Sequence, residues 1–288
     1  MRPVTDSRAM SSQLFRDGLL NGQVAIVSGG GTGIGRAIAL ELASLGAAVT
    51  VCGRRPEPLQ ETVALQPDGR IVAIVCDIRE EDQVRTLVDS VYDRHGRIDL
   101  LVNNAGGQFL APAEAITPKG FRTVIRLNVE GTWLMTHAVA TRAMIPAGAG
   151  KVVSITLSPH QGQPGMAHSA AARAAVENLM RTLSIEWARH GIVLNAIASG
   201  QVGTDTFMTK YPQPIVDAVA DTIPLGRIGT VDEIAWLVAY LASPAGDFVS
   251  GTVLTVDGAR DNNNGRWPPA AIADAEGQPL AEARRPKS

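Results

Sequence analysis

Two short segments of the chain carry residue types and spacings that could do chemistry. The first, Ser28-Gly-Gly-Gly-Thr-Gly-Ile-Gly35, lies between an apolar run, Val24–Ser28, and an amphipathic run, Arg36–Leu45. A strand, a glycine-rich turn and a helix in this order can bind a pyrophosphate, because glycine lets the backbone approach the phosphates and the helix N-terminus favours their charge. A flexible surface turn is the alternative, but the flanking elements favour a dinucleotide-binding loop.

The end of the second apolar run, Ala48–Cys52, bears on the choice of cofactor. The next residues are Gly53-Arg54-Arg55, with no acid among them. A carboxylate here would bind the ribose 2′-hydroxyl of NAD, whereas arginine suits a 2′-phosphate. We therefore expect NADP(H), with Arg54 and Arg55 near the phosphate; a solvated turn is the alternative for both arginines.

The second segment is Ser169-Ala-Ala-Ala-Arg173, at the start of a helix predicted over Ser169–His190. Residues four apart share one face of a helix. A serine hydroxyl is a poor acid and arginine stays charged at any working pH, so neither can protonate an alkoxide promptly. The side chains of Ser169 and Arg173 can both donate hydrogen bonds to an oxygen that carries part of a delocalised negative charge. A helix N-cap is the alternative role for Ser169.

The elements that must position these residues alternate along the chain. Continuous apolar strands separated by helices predict an α/β fold: one doubly wound parallel sheet of about seven strands with helices on both faces. We expect a lead-in over residues 1–20, one domain over 21–260 with a lid around 200–225, and a loose tail over 261–288. The predicted strands are Val24–Ser28, Ala48–Cys52, Ile71–Cys76, Leu100–Val102, Lys151–Leu157, Val193–Ala198 and Thr252–Val256.

Composition excludes several classes of function. A net charge of −2 gives no electrostatic case for binding nucleic acid or an anionic membrane. Cys52 and Cys76 lie in apolar runs without the spacing of metal ligands, so we expect two buried reduced thiols and no metal site. No apolar run reaches the length of a membrane span, and the N-terminus is charged and polar. We expect a soluble cytoplasmic protein.

From about Gly22 to Asp257 the chain resembles the short-chain dehydrogenase/reductase family, which has a Rossmann-type fold. The resemblance rests on the glycine loop, on Asp77 and Asn104-Ala105-Gly106 after the third and fourth strands, and on Asn128. It implies that Asp77 holds the adenine amine and that the Asn104 backbone lies along the adenosine ribose. It also implies that Thr204 meets the nicotinamide carboxamide or a phosphate. The full expected set of cofactor-binding residues is Ser28, Gly29, Gly31, Thr32, Gly33, Ile34, Gly35, Arg54, Arg55, Asp77, Ile78, Asn104, Ala105, Gly106, Asn128, Arg173, Gly200, Val202 and Thr204.

The family's catalytic tetrad of Asn, Ser, Tyr and Lys is only partly present. Asn128 matches, but the serine position falls on Leu157, the tyrosine position on Ser169 and the lysine position on Arg173. The stretch His168-Ser-Ala-Ala-Ala-Arg173 is similar to the enoyl-CoA and dienoyl-CoA reductase branch, especially to the peroxisomal trans-2-enoyl-CoA reductases. That likeness implies reduction of a 2-enoyl-CoA by NADPH.

The missing tyrosine harms carbonyl reduction more than conjugate reduction. Hydride addition to a ketone gives a localised alkoxide that needs a placed acid, whereas addition to an enoyl thioester gives an enolate that needs a hydrogen bond. We expect Asn128, Ser169 and Arg173 to form the catalytic face, with Ser169 donating to the thioester oxygen. His160 is a further candidate proton donor, because the pKa of histidine lies near working pH; an exposed loop histidine is the alternative.

Two other functions stay open at this point. One is a carbonyl reductase or alcohol dehydrogenase with a substitute acid, and the other is an NADP-binding pseudoenzyme. The family resemblance also implies a homotetramer, and apolar residues on several faces of the long helices agree with it.

Overall fold

The computed structural model describes residues 12–158, 160–210 and 213–263. Most of the predicted lead-in and tail lies outside these residues. The strands are β1 Val24–Ser28, β2 Ala48–Gly53, β3 Ile71–Val75, β4 Leu100–Asn103, β5 Gly150–Leu157, β6 Ile192–Ser199 and β7 Val253–Val256. The helices before β5 are α1 Gly33–Ser44, α2 Pro56–Ala64, α3 Glu81–His95, α4 Pro118–Ile125, α5 Gly131–Val139 and α6 Ile145–Ala147. The later helices are α7 Ala167–Glu186, α8 Asp205–Lys210, α9 Gln213–Asp221 and α10 Val231–Ala242.

The seven strands form one parallel sheet in the order β3-β2-β1-β4-β5-β6-β7. Apolar side chains from both faces of the sheet are buried in two clusters, one against α1 and α10 and the other against α3, α5 and α7. The predicted fold class is confirmed. Strand order reverses between β1 and β4, and in such sheets ligands bind at the carboxyl ends of the strands beside this point.

A helical run extends from Pro118 to Ala147 and has two interruptions. It starts at Pro118, capped by Thr117, whose side-chain oxygen accepts a hydrogen bond from Gly120 N. Two π-helical turns, Arg126–Glu130 and Ala140–Met144, separate its α-helical parts. Such turns are rare and often lie at functional sites, and the first one contains Asn128.

The two cysteines agree with the sequence-based expectation. Cys52 and Cys76 are both buried and free. Burial raises the pKa of both thiols, that of Cys76 to about 11, so neither is a ready nucleophile. Among the described helices, none is long and apolar enough to cross a membrane.

Candidate active site

The glycine loop between β1 and α1 requires glycine at two positions for lack of space. A Cβ atom on Gly29 would lie 2.9 Å from Cα of Ala105, and one on Gly35 would lie 2.2 Å from the carbonyl oxygen of Gly29. Gly29 also has a positive φ of 67°, which glycine adopts without strain. The loop can therefore fold back tightly against the end of β4.

Hydrogen bonds fix the loop to β4. Ser28 Oγ accepts from the backbone N–H groups of Asn104 and Ala105, both at 3.1 Å. The Asn104 side-chain amide donates to the carbonyls of Ser28 and Gly29 at 3.0 and 3.2 Å. Ser28 is fully buried and does not line the cleft beside the loop. Its hydroxyl therefore fixes the loop to the segment after β4 and does not contact a ligand.

A cleft of about 350 Å³ opens beside this loop, a volume typical of small-molecule sites. It brings together most of the predicted cofactor-binding residues. Its predicted lining residues are Gly29, Gly31, Thr32, Gly33, Ile34, Gly35, Arg54, Arg55, Asp77, Ile78, Asn104, Ala105, Gly106 and Thr204. Lining residues that the sequence did not suggest are Gly53, Pro58, Leu59, Cys76 and Leu127.

Gly200 and Val202, which the sequence predicts to bind the cofactor, are not among the residues that line the cleft. Gly200 touches the backbone of Asp257, where a Cβ would approach to 2.7 Å of the Asp257 Cα. Val202 forms a parallel bridge with Gly229. Thr204 itself lies against Gly33, and its Oγ1 accepts from the backbone N–H of Phe207. The predicted lid residues Tyr211 and Pro212 lie outside the described residues.

The β2 end of the cleft is rich in arginine. The side chains of Arg54 and Arg55 are exposed and make no hydrogen bond or ion pair with any other described residue. Asp77 is paired with Arg79, whose Nη2 lies 2.5 Å from Asp77 Oδ2. The hydrogen bond from Arg79 lowers the pKa of Asp77, and the charge of Arg54 adds to this. This end of the cleft therefore carries unpaired positive charge.

Arg173 reaches from α7 to the carboxyl end of β5. Its Nη1 donates to the carbonyl of Ile155 at 2.9 Å, and its Nε is buried without a partner among the described residues. Burial lowers the pKa of Arg173 to about 10. A Cβ on Gly106 would lie 2.4 Å from Arg173 Nη2 and 2.7 Å from Asn128 Oδ1. Arg173 and Asn128 thus meet at Gly106, which lines the cofactor cleft.

Asn128 is fully buried in the first π-helical turn. Its Oδ1 accepts from Gly107 N at 3.1 Å, and its Nδ2 donates to the Gly107 carbonyl at 2.9 Å. The Asn128 side chain therefore binds both backbone polar groups of Gly107 and fixes the segment that follows β4.

Ser169 is fully buried inside α7, three residues after the N-cap at Met166. The N-cap alternative for Ser169 is therefore wrong. Its hydroxyl donates to Gln108 Oε1 at 2.7 Å, and its backbone N–H donates to His168 Nδ1 at 2.8 Å. The hydroxyl hydrogen that the sequence assigned to a substrate thus points to another side chain.

His160 is neither a plain surface histidine nor free to face the cleft. Its side chain, 31% exposed, lies between Glu177, whose Oε1 is 3.1 Å from Nε2, and Asp261, which contacts Nδ1. Burial acts to lower the pKa of His160, but the bond to Asp261 and the charge of Glu177 outweigh it and the pKa is raised. Glu177 also accepts from the Thr156 hydroxyl at 2.8 Å. His160 joins the loop after β5 to the segment after β7.

No tyrosine replaces the missing acid in the part of the chain that can be described. Tyr92 lies beneath the guanidinium of Arg142 at 3.8 Å, and Tyr240 lies on α10. Ser158 and Thr156, which flank the family's serine position, are bonded to Asp257 and Glu177. Across residues 12–158, 160–210 and 213–263 no group of His, Cys, Asp and Glu could hold a metal ion.

Comparisons with known proteins place this arrangement in a family. Residues 29–259 match the family model described as Enoyl-(Acyl carrier protein) reductase. A peroxisomal 2,4-dienoyl-CoA reductase of Arabidopsis thaliana is 34% identical over 256 residues, which cover 85% of this chain and 86% of the relative. A probable 2,4-dienoyl-CoA reductase of Bacillus subtilis is 34% identical over 244 residues, with coverage of 83% and 96%. The solved structure of a citronellol catabolism dehydrogenase of Pseudomonas aeruginosa PAO1 has a TM-score of 0.78 and 41% identity, and the match covers 86% of this chain and 98% of that one.

The chain belongs to the short-chain dehydrogenase/reductase family and is an oxidoreductase. Within that family it is similar to the 2,4-dienoyl-CoA reductases. The residues present fit the family's nicotinamide cofactor. Gly29, Gly33 and Gly35 line the cleft with no side chain that could block the approach of a pyrophosphate to the backbone, and the buried Nε of Arg173 has a hydrogen left to donate.

Proposed function

We propose that this enzyme is an NADPH-dependent reductase of the C2–C3 double bond of a trans-2-enoyl-CoA or a related α,β-unsaturated thioester. The observation that carries the proposal is the site around Ser169. The family's tyrosine position holds a buried serine whose hydroxyl is already bonded to Gln108, beside a cation that cannot lend a proton at working pH. Such a site offers hydrogen bonds but no placed acid, which suits an enolate better than an alkoxide.

The reduced nicotinamide supplies the hydride in this reaction. The chain's own residues orient the two reactants: Arg173 offers N–H donors beside Gly106, and Asn128 keeps the wall of the cleft in place. Phe109 and Leu110, three and four residues after Gly106, have exposed side chains that offer an apolar surface to an acyl chain. The α-carbon then takes its proton from water or a nearby donor.

The preference for NADPH rests on the arginines at the end of β2. Arg54 and Arg55 line the cleft and are not neutralised by a described carboxylate of their own. A 2′-phosphate would supply the missing negative charge, whereas the 2′-hydroxyl of NAD would leave both cations solvated.

A second candidate function is that of a carbonyl reductase or alcohol dehydrogenase. It is favoured by the 41% identity to a citronellol catabolism dehydrogenase, which exceeds the 34% identity to the dienoyl-CoA reductases. In that reaction His160 is not a ready donor, because Glu177 and Asp261 hold its imidazole. The homotetramer and the cytoplasmic location stay predictions, and several relatives are named as peroxisomal.

One experiment separates the candidates. Oxidation of NADPH and of NADH is followed with crotonyl-CoA, trans-2-decenoyl-CoA, a dienoyl-CoA and a set of simple ketones, and reduction of NADP⁺ is followed with primary alcohols. The proposal expects NADPH and enoyl-CoA to give the highest kcat/KM. Good turnover of ketones or alcohols with none of enoyl-CoA would establish the second function instead. Tight NADPH binding without turnover of any substrate would support a pseudoenzyme.

A further inference from the structure

The first half of the glycine loop is held by two side chains that do not themselves line the cleft. The Gly31 carbonyl accepts two hydrogen bonds from Arg36, one from Nη2 at 2.6 Å and one from Nε at 3.0 Å. The Gly30 carbonyl accepts from Thr62 Oγ1 at 3.0 Å. The C=O and N–H groups of a trans peptide point in opposite directions, so these bonds also fix the direction of the N–H groups of Gly31 and Thr32. Gly31 and Thr32 line the cleft, whereas Arg36 and Thr62 do not.

The same side chains join the loop to α2. Thr62 lies on α2 and is fully buried, and its Oγ1 accepts from Arg36 Nε at 3.1 Å. Arg36 Nη2 also pairs with Glu61 Oε2 at 2.7 Å, but the Glu61 side chain is 64% exposed and such a pair stabilises little. A Cβ on Gly31 would lie 3.1 Å from Pro58 Cβ, so the loop also packs directly on α2. The glycine loop and α2 are therefore fixed to each other.

The arginines of the cleft stand at the start of α2. Arg55 is the N-cap residue of this helix and Arg54 precedes it, and both line the cleft. The bonds of Arg36 therefore connect a loop suited to a pyrophosphate with a turn suited to a 2′-phosphate. A ligand that carries both groups binds best where both sets of contacts are already in place, because less of the interaction energy is lost in ordering them.

We propose that Arg36 is a positioning residue for cofactor specificity: it holds the glycine loop and the two arginines at the separation at which the pyrophosphate and the 2′-phosphate of one cofactor bind together. This inference rests on the proposed function, because the preference for NADPH is part of it. NADH has no 2′-phosphate and needs the glycine loop but not the arginines. Loss of Arg36 should therefore weaken the binding of NADPH more than that of NADH, whereas loss of a residue that only stabilises the fold should weaken both equally.

The test is a pair of Kd values, for NADPH and for NADH, measured by isothermal titration calorimetry without any acyl substrate. Arg36→Met should lower the ratio of the NADH Kd to the NADPH Kd by about 10-fold, the effect of losing one charge-assisted hydrogen bond to the phosphate. Thr62→Val should lower this ratio by a smaller factor, because the Thr62 hydroxyl is also within 3.1 Å of the Pro58 carbonyl, and it keeps the test open if Arg36→Met does not fold. Arg70→Met is the matched control and should keep the wild-type ratio. Arg70 Nη1 also donates to a main-chain carbonyl, that of Ala43 at 3.2 Å, but Arg70 does not line the cleft.

An enzyme without the two arginines separates positioning from direct contact. In the Arg54→Ala/Arg55→Ala background, Arg36→Met should leave the ratio of Kd values unchanged, because the side chains through which it acts are absent. A further loss of about 10-fold in that background would show that Arg36 itself contacts the phosphate, which overturns the positioning role. Equal increases of both Kd values in Arg36→Met and in Thr62→Val would also overturn it while leaving the proposed function intact. A wild-type enzyme that binds NADPH and NADH equally well would overturn the proposed preference for NADPH, and this inference with it.

Discussion

Replacing Arg173 by methionine should separate folding from cofactor binding. The pKa of about 10 means that its surroundings disfavour the charged form by up to ~3 kcal/mol at neutral pH. Among the described residues, the side chain hydrogen-bonds to the carbonyl of Ile155 alone, and losing that bond costs ~1–3 kcal/mol. These two terms nearly cancel, so the Tm of the free Arg173→Met enzyme should lie within a few degrees of the wild type.

Cofactor binding should respond quite differently. NADPH at 100 times its Kd stabilises a protein by ~2.7 kcal/mol. Loss of a charge-assisted hydrogen bond, worth ~1.5–3 kcal/mol, raises Kd by roughly 10- to 100-fold. At the same NADPH concentration the stabilisation should then fall to ~0.4–1.4 kcal/mol. NADPH should stabilise the Arg173→Lys enzyme less than the wild type but more than Arg173→Met, because an ammonium keeps the charge but not the planar set of donors.

The assay is thermal unfolding with and without NADPH, together with a Kd from quenching of tryptophan fluorescence. Arg181→Met is the matched control, because Arg181 is an exposed arginine on the same helix. The reasoning would be refuted if free Arg173→Met lost more than ~10 °C in Tm while its response to NADPH stayed that of the wild type. Arg173 would then be a structural cation only.

Three other predictions concern the cofactor, the assembly and the effect of pH. Arg54→Asp should reverse the preference for NADPH over NADH, as measured by both Kd values; equal Kd values in the wild type would contradict the assignment. Light scattering should show a homotetramer, since Trp133 and Ile185 are 39% and 79% exposed on the long helices, and a monomer at all concentrations would exclude it. The raised pKa of His160 means that its bonds stabilise the folded state fully below the unfolded pKa and less as pH rises through the folded pKa. Between pH ~6 and ~8, wild-type Tm should therefore fall more than that of His160→Asn, and parallel curves would show that His160 and Asp261 are not coupled.

Much of the fold follows directly from the sequence. Strand β1 has its predicted bounds, because a short apolar run before a glycine turn has few alternatives. Helix α2, however, was not predicted. Its start, Pro56-Glu-Pro58, looks like a turn, but proline is tolerated in the first turn of a helix, where its missing N–H is not needed.

The candidate site was predictable where it depends on local sequence and not where it depends on packing. The glycine loop and the arginines after β2 follow from short motifs. The bond between Gln108 and Ser169 joins residues 61 apart, and the contact between His160 and Asp261 joins residues 101 apart. The π-helical turn at Asn128 also has no signal in the sequence, since its residues are compatible with an ordinary α-helix.

Restoring the family's acid should convert the enzyme toward ketone reduction, but the structure sets a condition. Ser169 is fully buried and its hydroxyl lies 2.7 Å from Gln108, so a tyrosine ring at this position must displace the Gln108 side chain. Ser169→Tyr with Arg173→Lys should therefore gain less ketone reduction than the triple variant that also carries Gln108→Ala. A placed phenol beside an ammonium has a lowered pKa and can protonate an alkoxide. Equal ketone kcat/KM for the double and triple variants, with NADPH binding intact in both, would show that Gln108 does not occupy the place of the absent acid.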